Sequence, residues 1–400
     1  MLSVEDAIAK ILARAEPTTE TEVIPLNSAF HRVLAKSQIA KVNVPPADNS
    51  AMDGYAIHTD SLKNHHNESF VVSQRIAAGQ IAKPLEKNTV ARIFTGSEIP
   101  CGANAVIMQE NCEADPDNQS RIFIKHRPST NDHIRKQGQD IEKGSELFHK
   151  GHKLHATDLG VLASCGIAEI TAYKKLTVGV LTTGDELIPP GEKLSTGQIY
   201  NSNEFTLKGL LDSLQIEMVS LGHIPDTFTA TVTALADAAK SVDIVLSTGG
   251  VSVGEEDHIK SAIETLGEIS LWKLAIKPGK PLAFGRISNT PFFGLPGNPV
   301  SVLVTFLIVV RPFLLKAQGH SDIKTNSMLL PADFSMTKNS SRQEYLRVRI
   351  NDGKLTLFNN QSSGVLTSAS WANALAIVPI NTTIQPGDLL ETIPFNQLGI

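Results

Sequence analysis

Hydrophobic residues recur at helical spacing at the start of the chain. Val4, Ala7 and Ile11 lie on one face of a predicted helix, and Ser3 is placed to cap its first turn. From about residue 20 to 150 the pattern changes to short apolar stretches separated by polar turns. This second pattern predicts mainly β structure.

Helical patterns return after this region. Residues 155–166 predict a helix that is capped by Thr157 and ended by Gly166. Beyond Lys175 an apolar strand, a glycine-containing turn and a helix follow one another several times, which predicts a parallel sheet with helices on both faces. The predicted strands cover 175–181, 216–222, 242–247, 271–276 and 291–295, and the predicted helices cover 203–214, 228–240 and 299–310.

The helical pattern disappears after Gly319. Asp352 and Gly353 lie at the tip of a predicted hairpin, and the remaining alternating stretches predict a small C-terminal β-barrel or sandwich. The fold class is therefore multidomain α/β plus β, with a central doubly wound α/β domain. The expected domains are an N-terminal and linker region at 1–172 with a β-rich insertion at about 49–140, the α/β domain at 173–322, and a β-barrel domain at 323–400.

Composition and charge narrow the class of protein. The 41 acidic and 36 basic side chains give a net charge of -5, which argues against nucleic acid as the main partner. The three cysteines form no CxxC pair, as expected for reduced thiols in the cytoplasm. The first residues lack the basic region of a signal peptide, and Arg311-Pro312 ends the apolar run 302–310 before it could span a bilayer. We therefore expect a cytoplasmic protein with a buried helix at this run and no membrane partner.

Four turns follow predicted strands of the α/β domain. They read TTGDEL, TGGVSVGEEDH, KPGKP and PGNPVS, and in open α/β sheets ligands bind where such turns gather. A single glycine after a strand is most often just a turn, but four at one sheet edge predict a site. Thr248, Gly249, Gly250 and Ser252 suit phosphate because glycine lets main-chain N–H groups approach an anion. The chain has no GxxxxGK[ST] and no GxGxxG, so ordinary nucleotide folds are disfavoured.

Carboxylates and lysines add to this predicted edge. Magnesium binds carboxylate oxygens and can at the same time bind the phosphates of a substrate. The carboxylates at this edge are Asp185, Glu186, Glu255, Glu256 and Asp257. Glu255 and Glu256 also fit a solvated helix start. Lys273 and Lys277 lie four apart on a predicted strand, either to meet anions or to protect a sheet edge. The residues alone thus predict a protein that binds a phosphorylated small molecule with a divalent cation, whether or not it is an enzyme.

Long stretches of the chain resemble one family. PPADNSAMDGYAI at 45–57 resembles the signature of the molybdopterin molybdenumtransferases, the MoeA and gephyrin E-domain family. Similar blocks follow as RIFTG, GQDI, TTGDEL, YNSN, STGGVSVGEEDH, WKLAIKPGKP and GLPGNPVS, so the resemblance covers essentially the whole chain. Two departures are Ala47, where an aromatic residue is common, and Gln139, which replaces a frequent glutamate.

The resemblance implies both an architecture and a reaction. The architecture would be an elongated homodimer of four-domain chains, with 173–322 as the molybdopterin-binding domain and a β-barrel as the last domain. Adenylylated molybdopterin and molybdate would be the substrates, with Mg²⁺ or another divalent cation. The pyrophosphate bond would break, AMP would leave, and molybdenum would remain on the dithiolene. A molybdopterin adenylyltransferase would be the upstream partner.

The resemblance also implies roles for individual residues. The catalytic residues would be Asp53, Thr95, Asp140, Glu186, Asp226, Asp257, Lys273 and Lys277, with Glu186 and Asp257 as metal ligands. The residues binding molybdopterin and its phosphates would be Thr183, Gly184, Asp185, Ser202, Asn203, Thr248, Gly249, Gly250, Ser252, Pro296, Asn298, Arg347 and Ser363. Asp53, Thr95 and Asp140 would face the partner subunit. Arg347 fits the surface of the barrel equally well.

Two alternatives belong to other classes. A non-catalytic molybdopterin-binding scaffold would need an appended domain or a long linker, and neither is predicted. An enzyme like molybdopterin adenylyltransferase would explain the central domain but leave residues 1–170 and 325–400 unused.

Overall fold

The structure is a computed structural model that describes residues 1–63, 69–225, 227–250, 258–337 and 340–400, with Trp272 described in its main chain only. The opening helix is confirmed at Val4–Leu12, and the Ser3 side chain accepts a hydrogen bond from the Asp6 N–H. Its apolar face is buried in the core of the central sheet. The Lys316 ammonium donates to the Leu12 carbonyl at 2.9 Å, which ties this helix to a helix far along the chain.

The N-terminal region is mainly β, as predicted. Its largest sheet has six strands, in the spatial order Ala105–Met108, Gly54–Ile57, Thr89–Ile93, Phe70–Ile76, Arg121–Ile124 and Cys112–Ala114. Three short antiparallel pairs complete the region, namely Thr21–Pro25 with Glu169–Tyr173, Gln38–Ile39 with Glu146–Phe148, and Asn49–Ser50 with Ile134–Arg135. Apolar side chains lie on both faces of the six-stranded sheet, so this part of the chain has its own core.

The second helix lies within the predicted range 155–166, but its cap differs from the prediction. It covers Ala156–Ser164, and the residue at its cap position is His155, so the expected cap at Thr157 is wrong. The reason is the Asp158 carboxylate, which accepts a hydrogen bond from the His155 N–H at 2.8 Å and so starts the helix before Thr157. Gly166 follows the helix with a φ of 72°, as expected for a helix-ending glycine.

The central sheet carries helices on both faces, which confirms the doubly wound α/β domain. Its strand order is Glu217–Ile224, Thr177–Thr183, Ile244–Thr248, Thr290–Leu295, Ala283–Ile287 and Gly267–Trp272. The helices Asn203–Ser213 and Pro299–Thr305 pack on one face, and Phe228–Ser241 and His258–Leu266 pack on the other. The first three strand pairs are parallel.

The prediction of an entirely parallel sheet is wrong at one edge. The strand Ala283–Ile287 was not predicted, and it pairs antiparallel with both of its neighbours. Only two residues separate it from Thr290–Leu295, and a connection this short can join antiparallel strands but not parallel ones. Ser288 in this turn has a φ of 52°.

The predicted strand at 271–276 is also wrong, because the chain leaves the central sheet after Trp272. Leu2 forms a bridge with Leu274 and accepts a hydrogen bond from the Ala275 N–H at 2.9 Å. The next strand, Ile276–Lys277, pairs in parallel with Gln343–Asn351 of the C-terminal sheet. Lys273 and Lys277 therefore do not share one strand face.

The apolar run 302–310 is a buried core helix, as predicted. The helix continues through Pro312 to Ala317, beyond its predicted end at 310, and its segments are Pro299–Thr305, Phe306–Val310 and Arg311–Ala317. The middle segment is a π-helix, a wider turn that precedes a proline unable to donate a main-chain hydrogen bond. Pro299–Ala317 is long and apolar enough to cross a membrane, but 89 % of its most apolar stretch is buried in the protein.

The C-terminal sheet closes into a barrel. Its strands are Gln343–Asn351, Lys354–Leu357, Ala374–Val378, Leu389–Pro394 and Met328–Pro331, together with Ile276–Lys277. A bridge between Ala332 and Leu355 joins the strand Lys354–Leu357 to the end of Met328–Pro331, and this contact closes the barrel. Asp352 and Gly353 form the predicted hairpin tip with φ values of 47° and 74°.

Lys153, Arg311 and His320 lie where the N-terminal region meets the end of the long helix Pro299–Ala317. The Ser321 N–H donates to the Gly151 carbonyl at 3.0 Å, so the two segments are in direct contact. Burial, together with the nearby Lys153 and Arg311 charges, lowers the pKa of His320 from 6.5 to about 4. Folding therefore favours the neutral imidazole.

This low pKa predicts a loss of stability in mild acid. The unfolded chain takes up a proton on His320 near pH 6.5 and the folded chain only near pH 4, so stability falls as the pH decreases through this window. Between pH 7 and pH 4.5, we expect the free energy of unfolding of wild type, measured in urea, to fall by about 1–3 kcal/mol because of this group. The free energy of unfolding of His320→Gln should fall by correspondingly less. His223→Gln, at an exposed histidine, is the control, and parallel losses in wild type and His320→Gln would contradict the assignment.

Candidate active site

A cavity of about 750 Å³ lies between the carboxyl ends of the central strands and the barrel. The predicted convergence of the four turns is confirmed among the described residues. Thr183 and Glu186 come from the first turn, Thr248 to Gly250 from the second, 277–281 from the third and 296–299 from the fourth. The barrel contributes Arg342 and 361–363.

The turns pack directly against one another. The Gly249 N–H donates to the Leu295 carbonyl at 3.2 Å, and the Asn203 side-chain amide donates to the Gly297 carbonyl at 2.7 Å. Gly249 has a φ of 84°, and a β-carbon there would come within 2.7 Å of the Thr183 carbonyl. This position therefore requires glycine, because both its conformation and its close approach exclude a side chain.

The electrostatics of the described lining favour an anion. Lys277, Lys280 and Arg342 are cationic and Glu186 is anionic. The Lys277 ammonium lies 2.8 Å from the Glu344 carboxylate, whose side chain is only 7 % exposed. The long helix begins at Pro299 beside the cavity, and the amino end of a helix carries partial positive charge.

Two lining side chains have buried polar atoms that lack partners within the described residues. These are the Asn203 Oδ1 and Thr248 Oγ1 atoms. A buried polar atom without a hydrogen bond costs about 1–3 kcal/mol, so both atoms suit a ligand that supplies the missing partners. The Asn203 oxygen can only accept a hydrogen bond, whereas the Thr248 hydroxyl can donate or accept one.

The described part of the lining fits a magnesium ion that is held mainly by its substrate. No group of three or more His, Cys, Asp or Glu side chains that could hold a metal occurs among the described residues. Glu186 is the one carboxylate of the described lining. Magnesium commonly uses one or two protein carboxylates together with phosphate oxygens and water, so Glu186 alone could anchor it.

Many of the predicted site residues line the cavity, but not all of them do. Those that line it are Thr183, Glu186, Asn203, Thr248, Gly249, Gly250, Lys277, Pro296, Asn298 and Ser363. Gly184, Asp185, Ser202 and Lys273 lie outside its lining. Asp226, Ser252, Glu255, Glu256 and Asp257 lie outside the described residues.

Arg347 lies behind the cavity wall. It is 1 % exposed, so the alternative position on the barrel surface is wrong. Its guanidinium donates to the Ser368 hydroxyl at 3.1 Å and to the Ser362 carbonyl at 3.3 Å, and burial lowers its pKa to about 10. Arg347 therefore holds the loop that carries Ser362 and Ser363 and does not itself line the cavity.

Asp53, Thr95 and Asp140 also lie outside the cavity lining of their own chain. The Thr95 N–H and hydroxyl both donate to Asp53 Oδ1 at 2.8 Å, and these hydrogen bonds lower the pKa of the Asp53 carboxyl. Asp140 is exposed, and its N–H donates to the Val44 carbonyl at 3.0 Å. The pair Asp53–Thr95 is thus a preformed, ionised group on the surface of the N-terminal region.

Sequence reasoning missed Arg342, Gln361 and Ser362, which the barrel brings to the cavity. Arg342 directly precedes the strand Gln343–Asn351, and nothing in the alternating pattern marks that end of the strand as facing a ligand. Contact with the third turn arises through the pairing of Ile276 with Gln343. Such contacts between distant segments leave no periodic signal.

The fold and the cavity together define a class. A doubly wound α/β domain, whose glycine turns and cations face an added β-barrel, is typical of a protein that binds a phosphorylated small molecule.

Comparison with known proteins is more specific. Family models match residues 2–166 as the MoeA N-terminal region (domain I and II), 179–316 as a probable molybdopterin binding domain, and 330–395 as the MoeA C-terminal region (domain IV). A molybdopterin molybdenumtransferase of Haemophilus influenzae is 43% identical over 324 residues, which cover 81% of this chain and 80% of that protein. One from Nostoc sp. is 31% identical and covers 96% of this chain and 91% of its own length.

A solved structure agrees with these relatives. The molybdopterin biosynthesis MoeA protein from Pyrococcus horikoshii superposes with a TM-score of 0.86 at 27% identity, covering 98% of this chain and 100% of that one. The chain therefore belongs to the molybdopterin molybdenumtransferase family, a family of transferases in molybdenum cofactor biosynthesis.

Proposed function

We propose that this chain inserts molybdenum from molybdate into adenylylated molybdopterin and releases AMP. The observation that carries the proposal is a cavity in which glycine turns, cations and the Glu186 carboxylate meet. The match to the family along nearly the whole chain supports this activity over that of an adenylyltransferase, which would use the central domain alone. It also supports an enzyme over a scaffold, because curated relatives are named as transferases.

The cavity supplies several parts of such a reaction. The glycine turn at Gly249 and Gly250 and the amino end of the long helix suit the pyrophosphate, and Lys280 and Arg342 suit its negative charge. Glu186 would hold a divalent cation or accept the proton of a water that attacks phosphorus. In that step a new phosphorus–oxygen bond forms as the bridging one breaks, and AMP leaves. Magnesium, when bound, would offset the charge of the phosphates.

The activity can be tested directly with purified protein. Adenylylated molybdopterin, molybdate and magnesium chloride are supplied, and AMP is measured by chromatography while molybdenum on the dithiolene is measured by reconstitution of a molybdenum enzyme. We expect AMP release that depends on both the protein and magnesium. Cofactor formation without AMP release, or neither product, would refute the proposal.

We propose further that the functional unit is a homodimer in the cytoplasm, supplied by a molybdopterin adenylyltransferase. The support is the position of Asp53, Thr95 and Asp140, which lie outside the cavity of their own chain although the family signature includes them. A second copy could bring these residues to the cavity and so complete the site.

Mixing two inactive variants tests this shared site. We expect Asp53→Asn and Glu186→Gln each to be inactive alone, and their mixture after subunit exchange to recover up to about a quarter of wild-type activity. Recovery follows because one site of each mixed dimer has both intact residues. Native mass spectrometry, with one variant uniformly labelled with ¹⁵N, measures whether the variants exchange, and exchange without recovery would show that both residues act within one chain.

A further inference from the structure

Arg342 stands at the junction between the barrel and the third turn. It directly precedes the strand Gln343–Asn351, and its N–H donates to the Ser340 hydroxyl at 3.2 Å. Its guanidinium donates to the Ile276 carbonyl at 3.3 Å and lines the cavity. The side chain is therefore held at the cavity wall by the segment that leads into KPGKP.

The basic residues that were assigned from the sequence are less available to a ligand than Arg342. The Lys277 ammonium is neutralised by the Glu344 carboxylate at 2.8 Å. Arg347 is buried in the barrel with its hydrogen bonds directed to Ser368 and Ser362. Lys273 lies outside the cavity lining. Within the described chain, the cations of the lining that have no carboxylate partner are Lys280 and Arg342.

Arg342 is the more organised of these two cations. A guanidinium has five N–H donors in a planar fork, and the carbonyl of Ile276 takes only one of them. Lys280 is exposed, whereas Arg342 is partly buried. Ser362 and Ser363 line the same barrel side of the cavity and add hydroxyl groups, whereas the Gln361 amide donates to the Arg347 and Phe358 carbonyls. A planar donor beside such groups matches a tetrahedral oxyanion.

We propose that Arg342 is a substrate-binding residue that holds a tetrahedral oxyanion, either a phosphoryl group or molybdate, on the barrel side of the cavity. The inference rests on the proposed function of this cavity and names the residue that recognises the anion there. A lysine at this position would keep the charge but lose the fork, so the geometry of Arg342 is part of its role.

Binding measurements on the full-length protein test the assignment. Pyrophosphate, AMP and molybdate are titrated separately by isothermal calorimetry into wild type, Arg342→Gln and Arg342→Lys. We expect Arg342→Gln to raise the Kd of at least one of the three anions by at least about tenfold, because a charge-assisted hydrogen bond is lost. The Kd of that anion for Arg342→Lys should lie between the values for wild type and for Arg342→Gln. Weakening of pyrophosphate or AMP alone identifies a phosphoryl group, and weakening of molybdate alone identifies that oxyanion.

Lys354→Gln is the matched control, since it removes the same charge from an exposed position on the same domain. Its Kd values should remain within twofold of wild type. Kd values within twofold for Arg342→Gln, or no binding of any of the three anions by wild type, would overturn the proposal. If Arg342→Gln does not fold, equal binding by Arg342→Lys and wild type would overturn it as well. Wild-type AMP release, measured in parallel, separates failure of this assignment from failure of the proposed function.

Discussion

Glu186→Gln is expected to lower kcat for AMP release by about 10²- to 10⁴-fold, the range that a general base or an ion-holding carboxylate supplies. Glu186 is the one carboxylate in the described lining of the cavity. It is exposed and makes no ion pair with any described residue, so no structural interaction is lost when its charge is removed. The melting temperature of the variant should therefore equal that of wild type.

A control six residues further along the chain separates this role from general charge effects. Glu192 is exposed and lies outside the lining of the cavity. Glu192→Gln should retain wild-type kcat and KM, measured with the same AMP assay. If Glu186→Gln turned over within threefold of wild type, Glu186 could be neither base nor metal ligand. Magnesium titration distinguishes a base from a metal ligand. If Glu186 binds the metal, Glu186→Gln raises the magnesium concentration needed for half-maximal activity, and if Glu186 is only a base, that concentration is unchanged.

Lys277→Met is expected to weaken both anion binding and folding. The substitution leaves the Glu344 carboxylate, with a side chain 7 % exposed, without its partner. Because 41 % of the Lys277 side chain is exposed, we expect a loss of about 1–3 kcal/mol, below the usual cost of breaking a fully buried pair. The remaining negative charge should also raise the Kd for pyrophosphate by roughly 100-fold.

A second substitution tests whether the unpaired charge causes both effects. Lys277→Met combined with Glu344→Gln removes that charge, so urea unfolding should recover most of the lost stability and the Kd for pyrophosphate should return towards that of wild type. Lys240→Met is the control, because its ion pair with Asp237 involves side chains that are 75 % and 68 % exposed and should change stability by less than about 0.5 kcal/mol. Equal destabilisation by the single and double variants would show that the ion pair is not the cause.

Local elements of this fold follow closely from the sequence. The opening helix and the Asp352-Gly353 hairpin were predicted correctly because each depends on residues a few positions apart. The ligand edge was predicted because the ends of parallel strands meet at one edge of a sheet, whatever the details of packing. Thr183, Gly249 and Pro296 accordingly reach one cavity.

The errors occur where distant segments compete for the chain. A short, mainly apolar run at 271–276 predicts one strand, but pairing with Leu2 and with the barrel draws the chain out of the central sheet after Trp272. Hydrogen bonds to partners far away in sequence outweigh a short local preference, because strand propensity depends on the neighbours that a strand finds. The shared face of Lys273 and Lys277 was lost for this reason.

Most strands and helices of the central domain, the barrel hairpin and the set of ligand turns are consequences of local patterns in this sequence. Which cations face the ligand is decided by tertiary structure. Glu344 neutralises Lys277, the barrel encloses Arg347, and the pairing of Ile276 with Gln343 brings Arg342 to the cavity. An ion pair or a buried hydrogen bond requires two groups within a few ångströms, and only the folded chain brings such distant residues together.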